Sequence, residues 1–150
     1  MSARYLVVDG HSVIFAWADL RAMHTRNRAA ARKVLAERLQ HLHDTTSWRV
    51  TLVLDGKMGT AVATIRKPTD MVIAYATADQ TADSIIERLV AASGVAEQIL
   101  VITADEAERR VVETLDAAVA SPSWLREELE REGASFANDL ERIHRSARWK

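Results

Sequence analysis

Three short apolar runs in this chain each stop at a carboxylate. Tyr5-Leu6-Val7-Val8 stops on Asp9-Gly10, Val50-Thr51-Leu52-Val53-Leu54 stops on Asp55-Gly56, and Ile99-Leu100-Val101-Ile102 passes through Thr103-Ala104 to Asp105. Uninterrupted apolar runs of this length suit strands buried on both faces, the habit of parallel sheets covered by helices. In a parallel sheet every strand ends on the same edge, and open α/β folds bind ligands outside that edge. A carboxylate there carries a large desolvation cost unless it is paired or binds a metal. One pattern therefore constrains the fold and the chemistry together.

Between the runs the spacing turns helical. A short helical piece is expected around 13–24, and a longer helix over 29–43 with Ala31, Val34, Leu35, Leu39 and Leu42 on one face. Strands are expected at 4–8, 48–54, 71–75 and 99–102, with a short edge strand at 117–120. Ala82, Ile85, Ile86, Leu89 and Val90 fit the apolar stripe of a helix over 80–92. Another helix is expected over 104–115 with Ala107, Val111 and Leu115 inward. Ser121-Pro122 opens a helix with serine as cap and proline at its first position, Gly133 ends it, and Phe136, Leu140 and Ile143 mark one more. Such alternation predicts an α/β fold with a mainly parallel sheet flanked by helices. The irregular stretch 55–70, with Gly56, Gly59 and Pro68, leaves a strand end bearing Asp55 and is expected to be a functional loop beside the pocket.

At 150 residues the chain is expected to be a single domain over 1–150, large enough to bury a core without staples. The absence of cysteine excludes disulfides, zinc–thiolate sites and thiol nucleophiles. No apolar run is long enough to span a bilayer, and the start shows no secretory signal, so no membrane partner and a cytoplasmic location are expected. The net charge of −1 offers no global attraction to nucleic acid. Locally, however, Arg21, Arg26, Arg28, Arg32, Lys33 and Arg38 face one acid, Glu37, within 21–38.

Asp9, Asp55, Asp83 and Asp105 all fall at strand ends or at the starts of following helices, so all four are expected at one edge. Four carboxylates in one cleft repel one another without a cation, and magnesium or manganese takes hard oxygen ligands. Local alternatives stand beside this reading. Asp83 in a first helical turn is favourable through the helix dipole alone. Thr103 and Glu106 match a capping box, with Asp105 at the second helical position. Asp-Gly is also a common turn pair.

Four blocks carry a resemblance. Val7-Val8-Asp9-Gly10-His11-Ser12-Val13-Ile14 resembles the opening of the NYN ribonuclease domains, in the YacP-like branch of the PIN-like superfamily. Val53-Leu54-Asp55-Gly56, Asp79-Gln80-Thr81-Ala82-Asp83-Ser84-Ile85-Ile86-Glu87 and Val101-Ile102-Thr103-Ala104-Asp105-Glu106-Ala107-Glu108 are similar to that family's later blocks, in the same order. His11-Ser12 stands where the family has tyrosine-asparagine, and Gln80 where it has glutamate.

The resemblance implies a three-layer Rossmann-like fold and a metal-dependent endoribonuclease. It implies Asp9, Asp83 and Asp105 as catalytic acids holding Mg2+ or Mn2+, Asp55 as a further acid, Thr103 orienting water or a carboxylate, and Ser12 as a hydrogen-bonding replacement for asparagine. RNA, in mRNA or at the ribosome, is the implied partner.

Arg28 and Arg32, one turn apart and off the apolar face, are the leading candidates for RNA phosphates, joined by Lys57, with Arg66 and Lys67, on the 55–70 loop. His11 is expected at the pocket rim, and His41 and His43 at the surface. Trp17, Trp48 and Trp124 are expected in the core, and Trp149 in the basic tail could stack on a base. The competing reading is a catalytically weak RNA- or ribosome-binding module of the same fold. A phosphohydrolase of the haloacid-dehalogenase type would need aspartate where His11 stands, and a receiver domain would need a lysine within 116–121, which has none.

Overall fold

The computed structural model describes residues 4–56, 71–77 and 79–132. Five strands, β1 (Tyr5–Asp9), β2 (Arg49–Leu54), β3 (Val72–Tyr75), β4 (Ile99–Ile102) and β5 (Ala118–Ala120), pair in the order β3-β2-β1-β4-β5. Every pairing is parallel. Helices α1 (Gly10–Ala16), α2 (Ala18–Arg26) and α3 (Arg28–Thr45) connect β1 to β2. Helix α4 (Ala82–Ser93) lies between β3 and β4, α5 (Glu106–Thr114) between β4 and β5, and α6 covers 122–132.

The two-residue period of the strands divides the core into two layers. Leu6 and Val8 of β1, with Leu100 and Ile102 of β4, pack against Val13, Leu20, Leu35 and Leu39 of the first three helices and Leu125 of α6. Val7 and Val101 point the other way, onto Ala82, Ile86 and Val90 of α4 and Val112 of α5. The α/β three-layer reading of the sequence holds. Strand order steps outward from β1 to β3, then returns to β4 on the other side of β1, so the winding reverses between β1 and β4. That reversal opens a crevice at their carboxyl ends.

Some elements differ from expectation. The single helical piece at 13–24 is two helices, because Trp17 is buried with extended backbone and donates its indole N–H to the carbonyl of Pro122 at 3.0 Å. Helix α1 starts directly after β1, since the Asp9 side chain caps it. Helix α5 starts at Glu106 rather than 104 because Asp105 is its cap. Its buried residues are Glu108 and Val112, whereas Ala107 is exposed and Val111 is 40% exposed.

His43, expected at the surface, is buried, and its Nδ1 accepts the backbone N–H of Val50 at 3.1 Å; His41 is exposed. Trp48 and Trp124 pack edge-to-face at 6.3 Å on the rim of the core. Ser121 caps α6 through the N–H of Trp124. Lys57, Arg66, Lys67, Gly133, Trp149 and the helix expected around Phe136, Leu140 and Ile143 lie outside the described residues. No helix among the described residues is long and apolar enough to cross a membrane.

Candidate active site

Asp9 has the parity of Val7, so its carboxyl turns toward the α4–α5 layer, where it is 4% exposed. The register that pairs Val8 with Ile102 sets Thr103 beside it. Two hydroxyls then fix the carboxylate. Ser12, in the first turn of α1, donates its Oγ–H to Asp9 Oδ2 at 3.0 Å and its N–H to Oδ1 at 3.4 Å. Thr103 Oγ1, buried, lies 3.3 Å from Asp9 Oδ2 and 3.0 Å from Glu108 Oε2. It has one proton and serves one of these oxygens at a time. The Ala104 N–H donates to Ser12 Oγ at 3.1 Å, which ties the β1 and β4 ends together, and the Asp105 N–H donates to Thr103 Oγ1, also at 3.1 Å.

Asp83 arrives from the other helical layer. Thr81 caps α4 in a reciprocal box with Ser84, at 3.1 and 3.2 Å, so the orphan N–H groups there do not depend on Asp83. Half-buried, Asp83 offers a carboxylate oxygen that lies with one each from Asp9 and Glu108 in a group within 4.8 Å of one another. Glu108, one turn into α5, is 2% exposed, and its Oε1 has no hydrogen-bond partner among the described residues. Its carboxyl is pushed up to about 10, first by burial and then by Asp83 and Asp9. Protonated, Glu108 can share its hydrogen with Asp83; ionised, it is opposed by the charges of Asp9 and Asp83. A divalent cation can take the place of that proton. Three hard oxygen donors, one of them unpartnered among the described residues, fit magnesium or manganese.

The structure brings Asp9, Asp83, Ser12 and Thr103 together and adds Glu108, which the sequence reading did not single out. Asp105 is not in the group of three. Exposed, its Oδ1 accepts the N–H groups of Ala107 at 2.9 Å and Glu108 at 3.3 Å, the bonds of a helix cap. Asp55 is also apart, exposed, and pairs with His11 across 3.9 Å. Arg28 is exposed on α3, and Arg32 is half-buried, lowered from its ordinary range by burial, then by Arg28. Arg38, in the same basic stretch, is taken by Asp19 at 2.7 Å and lies over the Trp17 ring.

A family model described as the YacP-like NYN domain matches residues 6–150. An uncharacterised protein YacP of Bacillus subtilis (strain 168) is 30% identical over 105 residues, which are 69% of this chain and 62% of that protein. The aligned part is thus under two thirds of that relative's length. The crystal structure of Rae1 (YacP) from Bacillus subtilis matches with a TM-score of 0.80 at 26% identity, over 98% of this chain and 84% of that one. A mutant of the same protein gives 0.78 at 28% identity, over 95% and 84%.

Proposed function

Because the chain belongs to the YacP-like NYN domain family, a family of nuclease-like fold, we propose that it is a divalent-metal-dependent endoribonuclease whose ion is held by Asp9, Asp83 and Glu108. The observation that carries this reading is the convergence of three carboxylates, one of them buried with an oxygen unpartnered among the described residues, in the crevice where the sheet's winding reverses. When bound, magnesium or manganese supplies charge for the scissile phosphate and a more acidic water.

The protein's own groups prepare the place. Ser12 holds the Asp9 carboxylate against rotation through its N–H and hydroxyl, and Thr103 bridges Asp9 and Glu108. The start of α4 delivers Asp83, and the burial of Val112 on α5 turns Glu108 inward. Arg28 and Arg32, on the α1–α3 side of the same edge, are proposed to hold backbone phosphates, together with Lys57, three residues past the end of β2 in the sequence. Asp105 is proposed as the cap that orients α5, and Asp55 as a rim acid.

Structured and unstructured RNA incubated with magnesium, manganese or chelator test the reading. Cleavage is expected with either metal and none in chelator, and Glu108→Gln should remove it. RNA binding that is indifferent to metal, with no cleavage by the wild type, would instead favour the binding-module alternative.

A further inference from the structure

On the opposite side of the same edge, helices α1 and α2 expose a set of rings. Phe15 is 41% exposed although it is apolar and lies in a short helix. The His11 ring lies 4.4 Å from it, tilted by 37°, and the His24 ring 4.9 Å from it at 61°. The turn that carries Phe15 is pinned, since Arg21 Nη1 donates to its carbonyl oxygen at 3.2 Å.

His24 is held below its ordinary value by burial, then by the charges of Arg28, Arg32 and His11, and Arg28 opens α3 only two residues after α2 ends at Arg26. Arg32 also faces Asp55 and Tyr75, lines a cavity of about 270 Å³ with Lys33 and Tyr75, and keeps one buried Nη1 without a hydrogen-bond partner among the described residues. The trio of rings begins only two residues after Asp9.

An exposed aromatic face bordered by cations is the chemistry that holds single-stranded nucleic acid: bases stack on rings whatever their identity, while basic groups track the backbone. Guanidinium groups over rings add to it. A core role does not account for Phe15, because the apolar core on this side is built from its neighbours Val13, Ile14 and Trp17.

We propose that Phe15, between His11 and His24, is a base-stacking subsite for single-stranded RNA, with Arg28 and Arg32 neutralising the adjoining phosphates. The inference rests on the nuclease reading and deepens it. The strand is led over α1 and α2 to the acidic crevice, and the contact is tolerant of base identity. His11 follows Asp9 by two residues and lies 3.9 Å from Asp55 at the end of β2, so the stacked base would sit at the same sheet edge as the crevice.

The test is binding of a short single-stranded oligoribonucleotide in chelator, read by fluorescence anisotropy, together with cleavage kinetics in manganese. Phe15→Ala is expected to weaken binding roughly 5- to 150-fold, the span of base–aromatic stacking. KM should rise and kcat stay nearly constant, while Phe15→Tyr should restore the wild-type values. Removing single bases from the oligonucleotide should weaken wild-type binding at one position and leave Phe15→Ala indifferent there. Circular dichroism checks that each variant is folded. Unchanged binding and KM in Phe15→Ala, with a wild type that cuts RNA, would overturn the subsite and leave the nuclease reading standing. A wild type that neither binds nor cuts RNA would overturn both.

Discussion

Asp9-Gly10 ends β1 and Asp55-Gly56 ends β2, side by side on one edge of the sheet, yet Asp9 is 4% exposed and the Asp55 side chain 51%. The difference comes from what surrounds each strand end. β1 is the central strand, with β4 beside it and α4 and α5 packed beneath, so its terminal carboxyl meets Thr103, Asp83 and Glu108. After Asp55 the chain turns so tightly along the end of β3 that a Cβ on Gly56 would lie 1.1 Å from the carbonyl oxygen of Ala76. Asp55 is left facing solvent and His11. The same dipeptide thus serves two purposes, and neighbours decide which.

The largest effect that separates the two ends is on activity. Asp9→Asn should lower metal-dependent cleavage by more than the ~10–100-fold typical of losing a partner outside the ligand shell. Asp55→Asn should stay near the wild-type rate. Equal losses in a side-by-side RNA cleavage assay would erase the distinction.

The contrast sharpens within the third acidic block. Asp105→Ala removes the cap of α5 and should cost about 0.5–2 kcal/mol in denaturant unfolding. The rise in melting temperature on adding manganese should survive. Loss of that rise would move Asp105 into the site.

A smaller effect is expected in the pH dependence of the metal-free protein. Glu108 titrates at 4.5 when free and is pushed up to about 10 in the fold. The folded state therefore keeps a proton that the unfolded chain releases. The stability this gives is complete below about pH 4.5 and is lost as pH rises toward 10. In chelator the wild type should melt progressively lower than Glu108→Gln from about pH 5 to about pH 9. Parallel melting curves would mean that Glu108 ionises freely.

Much of the fold is legible in the sequence. The apolar runs mark the five strands, convergence of strand ends at one edge points to Asp9 and Asp83, and the family resemblance adds Thr103 and Ser12. Glu108 was hidden by a tie. In Glu106–Thr114 the adjacent Val111 and Val112 allow two inward faces, and sequence alone favoured the one through Ala107 and Val111. Burial of Val112 turns the helix by one residue and brings Glu108, four positions earlier, toward Asp9 and Asp83. Weighing Glu108, Val112 and Leu115 as an i, i+4, i+7 set was the available signal.

Asp105 was ambiguous for a related reason, since the acid that caps a helix and the acid that binds a cation occupy the same place at a strand's end. His43 was misplaced because its partner, the backbone of Val50, lies on the next strand. Phe15 and His24 were passed over because ring proximity across the break at Trp17 has no periodicity to reveal it.

That Asp9, Asp83 and Glu108 hold a divalent cation together is open to direct measurement by calorimetric titration of manganese into the metal-free protein, in buffers of differing ionisation enthalpy. The wild type is expected to bind saturably and to release a proton as the ion displaces it from Glu108. Glu108→Gln should bind far more weakly and release none. Equal manganese affinity in the wild type and Glu108→Gln, with no proton released by either, would contradict the assignment.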